Sequence, residues 1–164
     1  MRILGFDPYV SDAAMSARCI DPVDLETMFL GSEVVFILAA PSESGRGLVD
    51  RHLMELLQPH QTMILLSRAS LVDFDSLTEM VLGGRFRVGI DVYPQEPLPA
   101  GHALRDSDGA VLSSHRAGAV SDALLQIGDM VVADLEAIIG GSDDRLMQYL
   151  TGESFEGIFQ PPAL

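Results

Sequence analysis

Short runs of consecutive apolar residues alternate with amphipathic stretches along most of the chain, separated by polar or Pro- and Gly-bearing segments. Arg2 to Phe6 is an apolar run closed by Asp7-Pro8-Tyr9, the pattern of a buried strand ending in a turn. Ser11 to Ala17 predicts a short helix with Ser11 as N-cap. Asp21-Pro22 opens a second helix, Val23 to Leu30, stopped by Gly31. Glu33 to Ala40 holds Val34-Val35-Phe36-Ile37-Leu38, apolar on both faces, which places it in a sheet covered on both sides. Pro41 to Arg46 reads as a polar loop, and Leu48 to Leu57 as a helix stopped by Pro59. Thr62 to Leu66 is the next buried strand, and Arg68 follows its end. Asp73 caps a helix that runs to Leu82 and ends at Gly83-Gly84. Phe86 to Ile90 and Ala110 to Leu112 are strands, joined by a long Pro-rich loop from Asp91 to Leu104. Ala119 to Ile139 is a long amphipathic helix through Leu124, Ile127, Val131, Leu135 and Ile138, closed by Gly140-Gly141. A weaker, mixed tail follows from Ser142 to Leu164.

Strands alternating with helices predict an α/β fold, a parallel sheet built from βαβ units. In such sheets ligands bind outside the carboxyl ends of the strands. Asp7, Arg68, Asp91 and His115 all fall just past strand ends, so one site assembled from four segments is expected.

Composition narrows the partners. With 24 acidic residues against 10 basic ones, all arginine, the net charge is −14, which disfavours a nucleic-acid partner. The single cysteine, Cys19, excludes an intrachain disulfide and suits a cytoplasmic protein. No signal peptide precedes the first strand, and no apolar run approaches the ~20 residues of a membrane helix. No pair among the four histidines has helical ligand spacing, so no metal site is expected. Gly-x-Ser-x-Gly and the Lys-bearing phosphate loop are both absent.

Each candidate has a plain alternative. Asp7 is either a ribose-binding acid or a turn residue of an Asp-Pro pair. Arg68 either holds a carboxylate through two parallel hydrogen bonds or pairs at the surface with Asp73 or Glu96. Glu96 and His115 form a candidate acid–base pair, in which the carboxylate fixes the imidazole tautomer and raises its pKa; otherwise His115 is a solvated loop residue.

The segments Ser32-Glu33-Val34-Val35-Phe36-Ile37, Arg46-Gly47-Leu48-Val49, Arg68-Ala69-Ser70-Leu71-Val72-Asp73, Gly89-Ile90-Asp91-Val92-Tyr93-Pro94-Gln95-Glu96-Pro97 and Ser114-His115-Arg116-Ala117-Gly118, in that order, closely resemble the D-isomer-specific 2-hydroxyacid dehydrogenases. The resemblance covers residues 1 to 140 and implies NAD as cofactor and a small 2-hydroxy or 2-keto acid as substrate. It implies that Arg68 binds the substrate carboxylate, that His115 is the acid–base and that Glu96 is its partner. It places Asp7 at the ribose, Asp91 at the nicotinamide carboxamide, and Ala39, Leu66, Ser67, Arg68, His115 and Gly118 along the cofactor. A homodimer is expected on the same ground.

The chain departs from the family pattern in several places. Ala69 stands where glycine is usual after the arginine, Leu65 where asparagine is usual, and Ser113-Ser114 where Thr-Pro is usual. No Gly-x-Gly-x-x-Gly occurs in the sequence. The expected fold is therefore a Rossmann-like parallel sheet with helices on both faces, lacking the first βα unit with its Gly-rich loop. Residues 1–140 are expected to form a partial NAD-binding domain, and 141–164 the return toward a substrate domain. The absent strand is the one that would separate Arg2–Phe6 from Val34–Leu38. A non-catalytic interaction module that pairs through the long helix is the rival expectation.

Overall fold

Capping side chains set the helix starts, and the apolar runs become parallel strands. The computed structural model describes residues 1–40 and 45–147. It contains two compact units, Met1–Ser114 and His115–Leu164, each described by itself.

The first unit runs β1 (Leu4–Gly5), α1 (Asp12–Ser16), β2 (Asp21–Pro22), α2 (Leu25–Gly31), β3 (Val34–Ile37), α3 (Arg51–Glu55), β4 (Thr62–Leu65), α4 (Phe74–Leu82), β5 (Arg87–Ile90) and β6 (Ala110–Leu112). Single 3-10 turns occupy Ala69–Leu71 and Ala103–Asp106. β3, β4, β5 and β6 pair in that order, all parallel, with Val35, Met63, Val88 and Ala110 in register across the sheet. β1 and β2 form a separate two-stranded parallel sheet, Leu4 opposite Asp21 and Gly5 opposite Pro22.

Two expected elements differ. Asp21-Pro22 is a strand and not the first turn of a helix. Asp24 captures the cap instead, accepting from the Thr27 amide at 2.7 Å, while Asp21 takes the Arg2 guanidinium at 2.7 Å. The helix expected from Leu48 begins at Arg51, because Asp50 caps it by accepting from the Leu53 amide at 2.9 Å. Val49 is drawn into a parallel bridge with Val72, bonded to the Leu71 carbonyl at 2.9 Å and the Asp73 amide at 3.0 Å.

The core lies on one face of the larger sheet. Val35, Ile37, Met63, Leu65, Val88 and Ile90 point into one cluster with Phe29 of α2, Leu53 and Met54 of α3, and Leu77 and Val81 of α4. Each fully buried aliphatic side chain of this kind stabilises the fold by roughly 1.5–3 kcal/mol relative to exposure. Buried Gln61 closes one edge, accepting from the Gln58 amide and donating to the carbonyls of Phe29 and Ser32. On the opposite face Val34 is 46% exposed, Phe36 56% and Val111 77%. The expectation that β3 is covered on both sides is therefore not met within the described residues. Parallel sheets are ordinarily covered on both faces, so this face presents apolar surface that a further layer would cover.

The second unit is built on α5 (Ser121–Ile139), ended by Gly140 with Gly141 at φ 74°. The Asp134 carboxylate accepts from the amides of Leu146 and Met147, at 2.7 and 3.1 Å, and holds the chain after the helix against it. Leu124, Ile127, Val131, Leu135 and Ile138 form the expected stripe and are exposed. Most of the tail, residues 148–164, lies outside the described residues, as does most of the Pro41–Arg46 loop.

Candidate functional site

Backbone hydrogen bonds align the carboxyl ends of the four-stranded sheet. The Leu66 amide reaches the Ile37 carbonyl at 3.5 Å, the Asp91 amide reaches Leu65 at 3.0 Å, and the Ser113 amide reaches Ile90 at 2.9 Å. The segments after β3, β4, β5 and β6 thus leave the sheet side by side, which is where the sequence places its chemistry.

After β3, Ala39 is exposed. After β4, Leu66 and Ser67 are partly buried, and the Ser67 hydroxyl donates to the Ile37 carbonyl at 3.1 Å, tying the two strand ends together. Arg68 is extended and exposed, and its guanidinium donates to the Ser67 carbonyl at 2.8 Å. Among the described residues it pairs with neither Asp73 nor Glu96. Asp73 is engaged elsewhere: it caps α4, accepting from the Ser76 hydroxyl at 2.6 Å and the Ser76 amide at 3.2 Å. Those two bonds hold the Asp73 carboxyl below its ordinary pKa, the hydroxyl contributing most.

After β5, Asp91 is buried at 1% exposure, and its carboxylate accepts from the Ser113 hydroxyl. A carboxylate so buried is costly unless hydrogen-bonded, so its placement at a strand end is a specific feature of the site. The exposed Glu96 accepts from the Tyr93 amide at 3.1 Å, which folds the Asp91–Pro97 segment back on itself. On the smaller sheet, Asp7 is exposed past β1 and accepts from the Tyr9 amide at 2.8 Å. Its second carboxylate oxygen makes no such bond among the described residues.

His115 and Gly118 belong to the second unit, and both are exposed. His115 has φ 54°, in the left-handed region that costs a non-glycine residue about 1–3 kcal/mol. Such strain persists where the surroundings over-determine it, and here it falls on the one histidine singled out by the sequence. Two of the other histidines have structural contacts: His102 accepts from the Leu104 amide and meets the Phe74 ring edge-on, while His52 lies 3.5 Å from Glu26.

For two residues of the quoted segments, the contacts that matter appear only in the structure. Tyr93 is buried, and its hydroxyl lies 2.7 Å from the Ser113 carbonyl and 3.1 Å from the Ile90 carbonyl. It clamps the end of β5 to the end of β6. Burial, and then the nearby Asp91 carboxylate, push its pKa up. Arg46 lines the same cavity as Arg68, about 500 Å³ in volume. A tyrosine inside a Pro-rich loop and an arginine in a short polar loop carry no periodic signal. Only the tertiary contacts distinguish them.

Comparison with known proteins bears on this geometry. The model of the D-isomer specific 2-hydroxyacid dehydrogenase NAD binding domain matches residues 1–117. The chain belongs to that family. A solved phosphoglycerate oxidoreductase from Rhizobium etli is 34% identical with a TM-score of 0.76, over 87% of this chain and 45% of that one. D-3-phosphoglycerate dehydrogenase of Archaeoglobus fulgidus is 25% identical over 82% of this chain and 26% of its own length. Glycerate dehydrogenase of Methylorubrum extorquens is 25% identical over 90% of this chain and 46% of its own length. The chain thus spans less than half the length of these relatives. Its fold is the Rossmann-like parallel sheet of an NAD-binding family of oxidoreductases.

The residues present fit part of a dinucleotide. Strand-end carboxylates Asp7 and Asp91 are hydrogen-bond acceptors, and exposed Ala39 and partly buried Leu66 and Ser67 follow the ends of β3 and β4. The pyrophosphate would need a glycine-rich helix N-terminus, which these residues do not contain.

Proposed function

We propose that these residues form the cofactor-side, proton-handling part of an NAD-dependent 2-hydroxyacid dehydrogenase, acting in the cytoplasm on a small 2-hydroxy or 2-keto acid. The observation that carries this reading is the row of segments leaving the sheet at one carboxyl edge, with Arg68, buried Asp91 and Glu96 on them, inside the span that the family model matches. NAD, when bound, accepts or supplies the hydride. Arg68 holds the substrate carboxylate in a bidentate pair and so orients the carbonyl. His115 exchanges a proton with the substrate oxygen, and Glu96 sets the histidine's tautomer and basicity. Asp91 accepts from the nicotinamide amide, Asp7 from the adenosine ribose, and Ala39, Leu66, Ser67 and Gly118 border the cofactor. In this reading residues 1–140 act as the NAD-binding part and 141–164 lead back to a substrate domain. The chain by itself, without a glycine-rich loop, binds NAD weakly and does not turn over.

The test is a chimera in which this chain replaces the matching 45% of the Rhizobium etli relative. It should oxidise NADH with hydroxypyruvate or glyoxylate. His115→Ala should lower its turnover by ~10²–10⁴, the range for a general acid–base. A folded chimera whose turnover ignores both His115→Ala and Arg68→Ala would overturn the assignment. Tight NADH binding by the 164-residue chain alone would overturn the need for the loop.

A second reading has its own support. The apolar surface on β3 and along α5, including Phe36, Leu125, Val132 and Ile139, suits a non-catalytic module that pairs with another polypeptide or as a homodimer. Sedimentation of the chain as a monomer at tens of micromolar would argue against it.

A further inference from the structure

The chain carries 24 acidic and 10 basic residues, so carboxylates are available to its arginines. Among the described residues Arg2, Arg51 and Arg145 pair with one. Arg46 and Arg68 do not: Arg68 bonds only the Ser67 carbonyl, and no hydrogen bond or ion pair holds the Arg46 guanidinium. Both line one cavity of about 500 Å³, whose described walls include no Asp or Glu. Among the described residues, two guanidinium groups thus share this cavity with no carboxylate on its walls.

The two arginines stand on braced loops. The Gly47 amide donates to the Ser70 carbonyl at 2.9 Å, and the parallel bridge between Val49 and Val72 continues the contact. Gly47 turns the first loop at φ 66°, where a side chain would be strained. Phe74 and Tyr93 meet edge to face at 6.4 Å and form an apolar wall to the cavity. Charge interactions beside such a wall are less screened than in open water.

We propose that Arg46 is a specificity-determining residue: the cavity takes a 2-hydroxy or 2-keto acid bearing a second anionic group, with Arg68 on the carboxylate and Arg46 on the second anion. This rests on the reading of Arg68 given above, and it goes beyond it by fixing the charge class of the substrate. A volume of about 500 Å³ lies within the ~300–1,000 Å³ range of small-molecule sites and leaves room beyond a three-carbon acid. The second anion is a carboxylate or a phosphate monoester, both of which suit a planar guanidinium.

Calorimetric titration of the cofactor-free chain tests this with glycolate, tartronate and 3-phosphoglycerate, which carry one carboxylate, two carboxylates, and a carboxylate with a phosphate. Tartronate and 3-phosphoglycerate, each with a second anionic group, should bind about tenfold or more tighter than glycolate, the scale of one added charge-assisted contact. Whichever binds tighter identifies the second anion. Arg46→Gln should remove that preference and leave glycolate unchanged, while Arg68→Ala should weaken all three. The exposed Arg46 makes no bond that folding needs, and an unchanged urea midpoint of Arg46→Gln confirms the comparison. Equal affinity for all three acids, no binding of any, or a preference that survives Arg46→Gln overturns the proposal. No cofactor enters this titration, so it can fail while the chimera turns over, and it can succeed while the chimera does not.

Discussion

Tyr93→Phe isolates the clamp between the ends of β5 and β6. The substitution removes one hydroxyl and keeps the ring, so the edge-to-face contact with Phe74 survives and no large cavity forms. The Ile90 carbonyl keeps a partner, because it also accepts from the Ser113 amide at 2.9 Å. The Ser113 carbonyl loses its 2.7 Å bond but lies in a partly buried position that water can reach. The loss is therefore one net hydrogen bond without a fully orphaned acceptor, about 1 kcal/mol. With a urea slope of ~1–3 kcal/mol/M, the unfolding midpoint should fall by roughly 0.3–1 M. A second signature lies at high pH. The folded-state pKa of Tyr93 is raised above its ordinary 10.0, chiefly by burial. Its contribution is thus fully present below the unfolded value and is lost as pH rises through the folded one. The wild-type chain should lose stability more steeply than Tyr93→Phe on the alkaline side. An unchanged midpoint at neutral pH, together with parallel alkaline limbs, would refute the clamp.

Three further outcomes follow from the packing and caps. Asp73→Ala removes the α4 cap and should cost about 1 kcal/mol in urea unfolding at pH 7. The Asp73 pKa is lowered in the fold, so this difference should hold above the ordinary value of 3.8 and shrink as pH falls through the folded value. Leu65→Ala, at a fully buried position in β4, should cost about 2–5 kcal/mol, and a midpoint shift worth less than 1 would mean that the core repacks freely. Gly5→Ala places a Cβ 2.5 Å from Ile20 Cγ2, a branch fixed close to its own backbone, and should destabilise by roughly 1–3 kcal/mol; thermal unfolding at the wild-type temperature would contradict that close approach.

The strands of the larger sheet were legible because each is a continuous apolar run bounded by polar or glycine residues. β4, β5 and β6 fall where Thr62–Leu66, Phe86–Ile90 and Ala110–Leu112 place them, give or take an end residue. Caps were legible where one acid or hydroxyl stood alone before a periodic stretch, as at Ser11 and Asp73. They misled where two competed: Asp24 displaced Asp21, and Asp50 displaced the start at Leu48. The choice there was made by tertiary partners, Arg2 for Asp21 and Val72 for Val49, which local sequence does not encode. The positions of Arg68, Asp91 and Glu96 followed from strand ends and motif order. The Tyr93 clamp and the shared cavity of Arg46 and Arg68 depend on contacts between segments more than 15 residues apart and could not be read locally.

The pairing of the sheets bears on the gap in the motif pattern. Among the described residues β1 pairs only with β2, and β3 only with β4, so each leaves one edge open there. These are the two strands between which the family order places one more. The uncovered face of the larger sheet is apolar at Val34 and Phe36, next to that same edge. One strand followed by an amphipathic helix would satisfy both open edges and cover the exposed apolar positions, and the turn between them is where a glycine-rich loop belongs. The structural need and the cofactor need thus fall on one segment. Supplying it should raise stability and NAD affinity together, and a βα unit that restored one without the other would separate the two roles.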